Sequence, residues 1–221
     1  MALSSAARTD RRHGDALAAD RSAGERALLI ALLRGGPRID PSASAERLLD
    51  RFGSLGAIFD ADGRALLAGG ATLGAAQRIE AAAACARHIL EYRLHERPIL
   101  DSMRSLLDYL ALTLSFKSLE QVRVLFLDAK LHLIRDETVS LGCIAEAPIF
   151  VRPILKRALE VGASSILVAH NHPSGDPRPS DADVESTQAL ERGADAIGVR
   201  LIDHLVLACG SWRSFRQQGL L

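Results

Sequence analysis

Cysteine is scarce in this sequence, and the three present, Cys85, Cys143 and Cys209, lie far apart with no Cys-x-x-Cys pair. That pattern excludes a thiolate zinc site, and an odd number of distant cysteines makes no disulfide framework. Neither charge is in excess. Lys+Arg and Asp+Glu are both 27, so no global positive field draws in nucleic acid. No apolar run approaches the length of a bilayer span, and the Arg/Asp/Ala-rich N-terminus has no signal-peptide core. These absences point to a cytoplasmic protein with no membrane partner. What is there is an ordinary globular balance, 48% apolar and 24% charged over 221 residues. That length suits one large or two small domains with a core.

One stretch stands out, Ala169-His170-Asn171-His172-Pro173-Ser174-Gly175-Asp176-Pro177-Arg178-Pro179-Ser180-Asp181-Ala182-Asp183. It follows Ser165-Ile166-Leu167-Val168, a short apolar run that reads as a buried strand ending at the first histidine. Side chains alternate along a strand, so His170 and His172 share a face and Asn171 takes the other. Two imidazoles roughly 7 Å apart along a strand can converge on one ion. Three prolines and a glycine then force a turn-rich loop, which returns the chain at Ser180 to a helix carrying Asp183 in its first turn. Two neutral nitrogens and one carboxylate, with a position left for water, form the ligand set of a catalytic zinc site. The same three donors also suit Fe(II), so a non-haem iron enzyme is a second reading. A competing structural account exists for part of the motif. Ser180-x-x-Asp183 fits a plain capping box, and an early acid suits a helix dipole. A cap, however, does not require the histidines.

His170-Asn171-His172-Pro173-Ser174-Gly175, with Pro179-Ser180 and Asp183, resembles the signature of the RadC family, a bacterial branch of the JAB/MPN (JAMM) metalloprotease superfamily. The superfamily pattern is His-x-His-Pro, then Ser-x-x-Asp after a fixed gap, with a glutamate well upstream. The similarity covers roughly residues 100 to 221 and includes Asp203-His204 and Ser214-Phe215 to Gly219. It implies a mixed-sheet JAB/MPN-like (cytidine-deaminase-like) α/β domain in which His170, His172 and Asp183 ligate Zn2+. The upstream glutamate falls on Glu120, with Glu137 as second choice. On that basis Glu120 would move the water proton to a leaving amine and Ser180 would donate to a tetrahedral oxyanion. The expected partner is a protein or peptide substrate. A DNA-associated repair protein or nuclease is the alternative. Two positions depart from the family. Val151-Arg152-Pro153 stands where Pro-Arg-Glu is usual, and Gly142-Cys143 where Gly-Thr is usual. The cytidine-deaminase chemistry itself is not expected, because Pro-Cys-x-x-Cys is missing.

The rest of the chain frames this domain. Residues 1–21 are charged and lack apolar periodicity, and read as a disordered arm. Residues 22–94 read as a small all-helical domain. It opens with a capping box at Ser22-Ala23-Gly24-Glu25, with Leu28, Leu29, Leu32 and Leu33 on one side of the helix. This region resembles a degenerate helix-hairpin-helix, with Gly69-Gly70-Ala71-Thr72-Leu73-Gly74 at the hairpin. Ala71 replaces a glycine of the pattern and Gly74 a basic residue, and both changes weaken phosphate contact. Pro98 marks the boundary to a domain over 98–221. There the pattern predicts a helix from Asp101 to about Phe116 and a strand over Val122 to Asp128. Strands at Leu131 to Ile134 and Glu137 to Ile144 follow, then a helix around Val151 to Val161 and the strand ending at His170. A helix from Asp181 to about Ala196, a strand over Val199 to Leu207 and a packed tail from Trp212 complete the chain. His204, beside Asp203, reads as a core histidine satisfied by a carboxylate.

Overall fold

The structure is a computed structural model that describes residues 23–35, 40–141, 149 and 151–221. The expected arm over 1–21, Ser22 of the first capping box and Gly142-Cys143 lie outside those residues. The chain divides into two compact units, Met1–Ala84 and Cys85–Leu221. The division falls inside one long helix.

The first unit is helical: α1 (residues 23–33), α2 (Pro41–Phe52), α3 (Leu55–Asp60), α4 (Gly63–Ala68) and the start of α5 (Leu73–Glu96). Short polar side chains set where these helices begin. Asp40, Ser54 and Asp62 accept from the Ser42, Ala57 and Ala65 amides at 2.9, 3.1 and 2.7 Å, satisfying donors that the helix leaves orphaned. Leu29, Leu33, Leu48, Ile58, Leu66 and Ile79 form the core. Leu28 was expected on the same side as Leu29, yet it is exposed. The i, i+4 pair Leu29 and Leu33 takes the inward stripe instead. At the α4–α5 turn, the Gly69, Gly70 and Ala71 amides all donate to carbonyls of α4.

The second unit is built on a five-stranded sheet in the order β2-β1-β3-β4-β5. The strands are β1 (Gln121–Leu127), β2 (Leu133–Leu141), β3 (Ser165–Asn171), β4 (Arg200–Ala208) and β5 (Ser211–Ser214). Among the described residues, only β3 and β4 pair in parallel. Their crossover is α8 (Asp181–Ala196), while α6 (Met103–Leu114) precedes β1 and α7 (Val151–Val161) precedes β3. Alternation divides the sheet's side chains between two cores. Val122, Val124, Phe126, Ile166 and Val168 pack with residues of α7 and α8. Leu125, Leu127, Leu167, Ala169, Leu205 and Leu207 pack with α6. Among the described residues no helix is long and apolar enough to cross a membrane.

Three elements differ from the sequence expectation. The two strands expected at 131–134 and 137–144 are one strand, β2, which runs through Arg135, Asp136 and Glu137. The gap between them, Arg135 and Asp136, is strand as well, and the two acids, Asp136 and Glu137, each have a partner on another element. Asp136 receives the Arg123 guanidinium at 2.5 and 3.1 Å and the Tyr109 hydroxyl. Glu137 is held by Arg157 of α7 at 2.6–3.1 Å. The expected tail contains β5, which pairs with β4 through a two-residue turn at Cys209 (φ 37°) and Gly210 (φ 85°). Positive φ at both central residues is the backbone that tight hairpins require. The helix expected from Asp101 begins instead as a 3-10 turn, Ile99–Ser102, before α6.

The Arg123–Asp136 pair is nearly enclosed, with side chains 17% and 3% exposed, and removing one partner leaves the other charge buried and uncompensated. Asp136→Ala is therefore expected to destabilise the protein by about 3 kcal/mol. Tyr109→Phe, which removes one hydrogen bond to the same carboxylate, is expected to cost about 1 kcal/mol. Urea unfolding midpoints of both variants check the order of the two effects.

Candidate metal centre

The site forms where β3 ends between its two neighbours. Every residue of β3 is buried, and its register sets Val122 of β1 across from His170 and Val206 of β4 on the other side. His172 lies one residue past the strand, but its amide still donates to Leu207 O at 2.8 Å, so the chain stays extended. The turn follows at once, with Gly175 N donating to His172 O at 3.1 Å and Gly175 at φ +87°. Only glycine takes that conformation without a steric penalty. The loop delivers Ser180 as the N-cap of α8, in a capping box with Asp183.

Four side chains converge. One donor atom each from Glu120, His170, His172 and Asp183 lies within 4.8 Å of the others. His170 Nε2 is 2.9 Å from His172 Nε2. His170 Nε2 is 3.5 Å from Asp183 Oδ1, and His172 Nε2 is 3.5 Å from Asp183 Oδ2. A tetrahedral zinc with bonds of about 2.0–2.1 Å holds its ligands roughly 3.3 Å apart. The three separations bracket that value, so these residues fit a small divalent ion.

Hydrogen bonds orient each donor. His172 Nδ1 donates to the Asp176 carbonyl at 2.7 Å, leaving Nε2 toward the cluster. Asp183 Oδ2 receives the Ser180 hydroxyl at 2.6 Å and the Ser180 amide at 2.7 Å. Burial pushes the Asp183 carboxyl up, but His170, His172 and Ser180 beside it outweigh burial and hold the group well below the ordinary carboxylate range. The hydrogen bond to Asp183 raises the His172 pKa, with burial acting against it. Both shifts favour a proton on His172 beside an ionised Asp183.

The sequence expectation brought together His170, His172, Asp183 and Glu120, and they are adjacent in space. Glu120 is only 6% exposed and sits one residue before β1. Continuing the β1–β3 register places it opposite His172. Glu137 is elsewhere, bound to Arg157. Ser180 lies at the edge of the cluster with its hydroxyl proton directed at Asp183. Asn171 faces away and is 0% exposed. It accepts from Gln121 N at 2.9 Å and donates to Lys117 O and Leu119 O, both at 3.2 Å. The backbone on both sides of Glu120 is thus held by the residue between the two histidines.

Two residues were missed or misread. The His204 ring does not pair with the Asp203 carboxylate, which receives from His204 only the backbone amide, at 2.7 Å. Neighbours on a strand face opposite sides, so Asp203 bonds Ser214 Oγ and the Arg216 amide at 2.5 and 3.0 Å. The His204 ring instead contacts His170 and Thr187, at 2.7 and 2.6 Å. Burial pushes its pKa well below the ordinary histidine value. Thr187 was not singled out, although its i+4 spacing from Asp183 sets both on one face of α8.

The family described as RadC-like JAB domain matches residues 100–220. The chain belongs to the RadC-like JAB domain family. It is 42% identical over 195 residues to a UPF0758 protein of Rhodobacter capsulatus, covering 88% of this chain and 91% of the relative. It is also 42% identical over 197 residues to a UPF0758 protein of Methylibium petroleiphilum, covering 88% of each chain. A third UPF0758 protein, from Ruegeria pomeroyi, is 36% identical over 198 residues, covering 88% of this chain and 87% of the relative. The match spans the whole sheet of this RadC-like domain and all four converging side chains.

In chelator-treated protein the two pKa shifts give opposite pH dependences. The His172 value is raised above 6.5, so its contribution is full below that pH and is lost as pH rises through the raised value. The Asp183 value is depressed below 3.8, so its contribution is present above that pH and is lost on acidification. Their mutual stabilisation is greatest between about pH 4 and 6.5. Unfolding free energies of chelated wild type and His172→Gln, compared from pH 5 to 9, are expected to converge as pH rises. A constant difference would contradict this account.

Proposed function

We propose that this RadC-like protein is a zinc-dependent hydrolase that cleaves an amide bond in a protein or peptide, as a metallopeptidase or isopeptidase. The observation that carries the reading is the convergence of His170 Nε2, His172 Nε2 and the Asp183 carboxylate, with a fourth acid, Glu120, at the same point. Zinc held by three such ligands lowers the pKa of a water in the remaining position to about 7.

The chain's own groups then have distinct tasks. His170, His172 and Asp183 hold the ion. Glu120 takes a proton from the attacking water and returns it to the leaving amine, which needs a carboxylate near the ion but outside its ligand shell. Ser180, by rotating its hydroxyl away from Asp183, donates to the oxyanion that develops on the scissile carbonyl. We assign the protein to the cytoplasm. Cys85 and Cys209 are free and exposed, which suits a reducing compartment.

Nucleic acid is the second-ranked partner. The hairpin amides of Gly69, Gly70 and Ala71 are already bonded to α4 carbonyls, so they offer little to a phosphate. Iron is the second-ranked metal, since the same donors accept Fe(II).

Metal content decides between these readings. Wild type purified without chelators is expected to carry about one zinc per chain, lost in His172→Ala and retained in Glu120→Gln. Against a panel of peptide and isopeptide substrates, Glu120→Gln is expected to lower kcat by about 10²–10⁴-fold. Stoichiometric iron would move the assignment to the iron reading. Wild type without any stoichiometric metal would sink the hydrolase reading.

A further inference from the structure

Behind His170 lies a chain of buried polar groups that runs in one direction only. It starts on α8, where the Thr187 hydroxyl is 2.5 Å from the Asp183 carbonyl oxygen. A carbonyl has no proton to give, so Thr187 is the donor in that bond. Its oxygen is then left to accept from His204 Nδ1, 2.6 Å away. The other His204 nitrogen, Nε2, is 2.7 Å from His170 Nδ1.

The His204 ring is fully buried, and its two nitrogens face a hydroxyl and an imidazole, neither of which carries negative charge. A charged ring there would be desolvated with no opposite charge in contact with it, which is costly, so the ring is neutral and has one proton. Thr187 claims that proton at Nδ1. Nε2 is therefore an acceptor, and His170 must donate to it from Nδ1. The His170 lone pair then lies at Nε2, facing His172 and Asp183. Phe215 stacks on His204 with centroids 4.4 Å apart and planes 22° from parallel, which holds the ring in this orientation.

We propose that Thr187 and His204 are positioning residues that hold His170 as its Nδ1–H tautomer, so that ligation through Nε2 is set before an ion arrives. The proposal deepens the reading of the metal centre and rests on it for its purpose, though not for its hydrogen-bond geometry. A ligating histidine commonly donates its second N–H to a carboxylate or backbone carbonyl. His172 does so at Asp176. His170 uses a neutral imidazole, which sets the tautomer without adding a negative charge behind the site.

Two measurements test it. Long-range 1H–15N spectra of the imidazoles in chelator-treated wild type report the tautomers directly, without any metal or substrate. Both His204 and His170 are expected as Nδ1–H, and either ring found as the Nε2–H tautomer would overturn the proposal. Thr187→Val keeps the shape of the side chain but removes the acceptor, freeing His204 to reverse its proton. Zinc affinity, measured by competition with a chromophoric chelator, is expected to fall about 10–100-fold, with Thr187→Ser restoring it. A folded Thr187→Val protein with wild-type affinity and unchanged imidazole spectra would also overturn it. If wild type binds no metal, the hydrolase reading fails, yet the tautomers still decide the proposal.

Discussion

The pairing of β3 with β1 on one side and β4 on the other is the constraint on which the site depends. A strand hydrogen-bonded on both edges and buried on both faces has no freedom to slip, because a shift of one residue would exchange the faces of His170 and Asn171 and break the hydrogen bonds of both. That fixed register brings the start of β1, and with it Glu120, beside the end of β3. It also sets β4 parallel to β3, so the crossover helix α8 must begin at the same end of the sheet. Asp183 arrives there in the first turn of that helix. Three segments distant in sequence thus meet because one central strand cannot move.

The polar groups around that point show a division of labour set by alternation. His170 and His172 turn to the α8 side of the sheet, while Asn171 between them turns back and binds the backbone on both sides of Glu120. Next along the sheet, Asp203 and His204 face opposite sides, and each has its own set of partners. A buried polar group without a partner is destabilising, so each of these side chains restricts its neighbours as much as it is restricted. The outcome is a set of donors held in orientation before any ion is bound.

Much of the fold was legible because its local signals agree. The helix start at Ser180 follows from a short oxygen-bearing side chain, which satisfies an amide nothing else reaches. The apolar run before His170 reads correctly as a buried strand, and the loop after it as a proline and glycine turn. What failed was the extent of β2. The gap expected at Arg135 and Asp136 is strand, and the groups that hold Asp136 there, Arg123 and Tyr109, lie on other elements.

The sequence by itself determined the chemistry of the donors and the local shapes that carry them. His-x-His at a strand end, a rigid loop and an acid in the first turn of a helix are short-range features, set by backbone alternation, proline, glycine and capping. Only the tertiary structure decided which distant groups stand behind them. That Asn171 holds the flanks of Glu120, and that His204 turns to His170 and Thr187 rather than to Asp203, depends on strand register. Register is fixed by burial of the whole sheet and is written in no single segment.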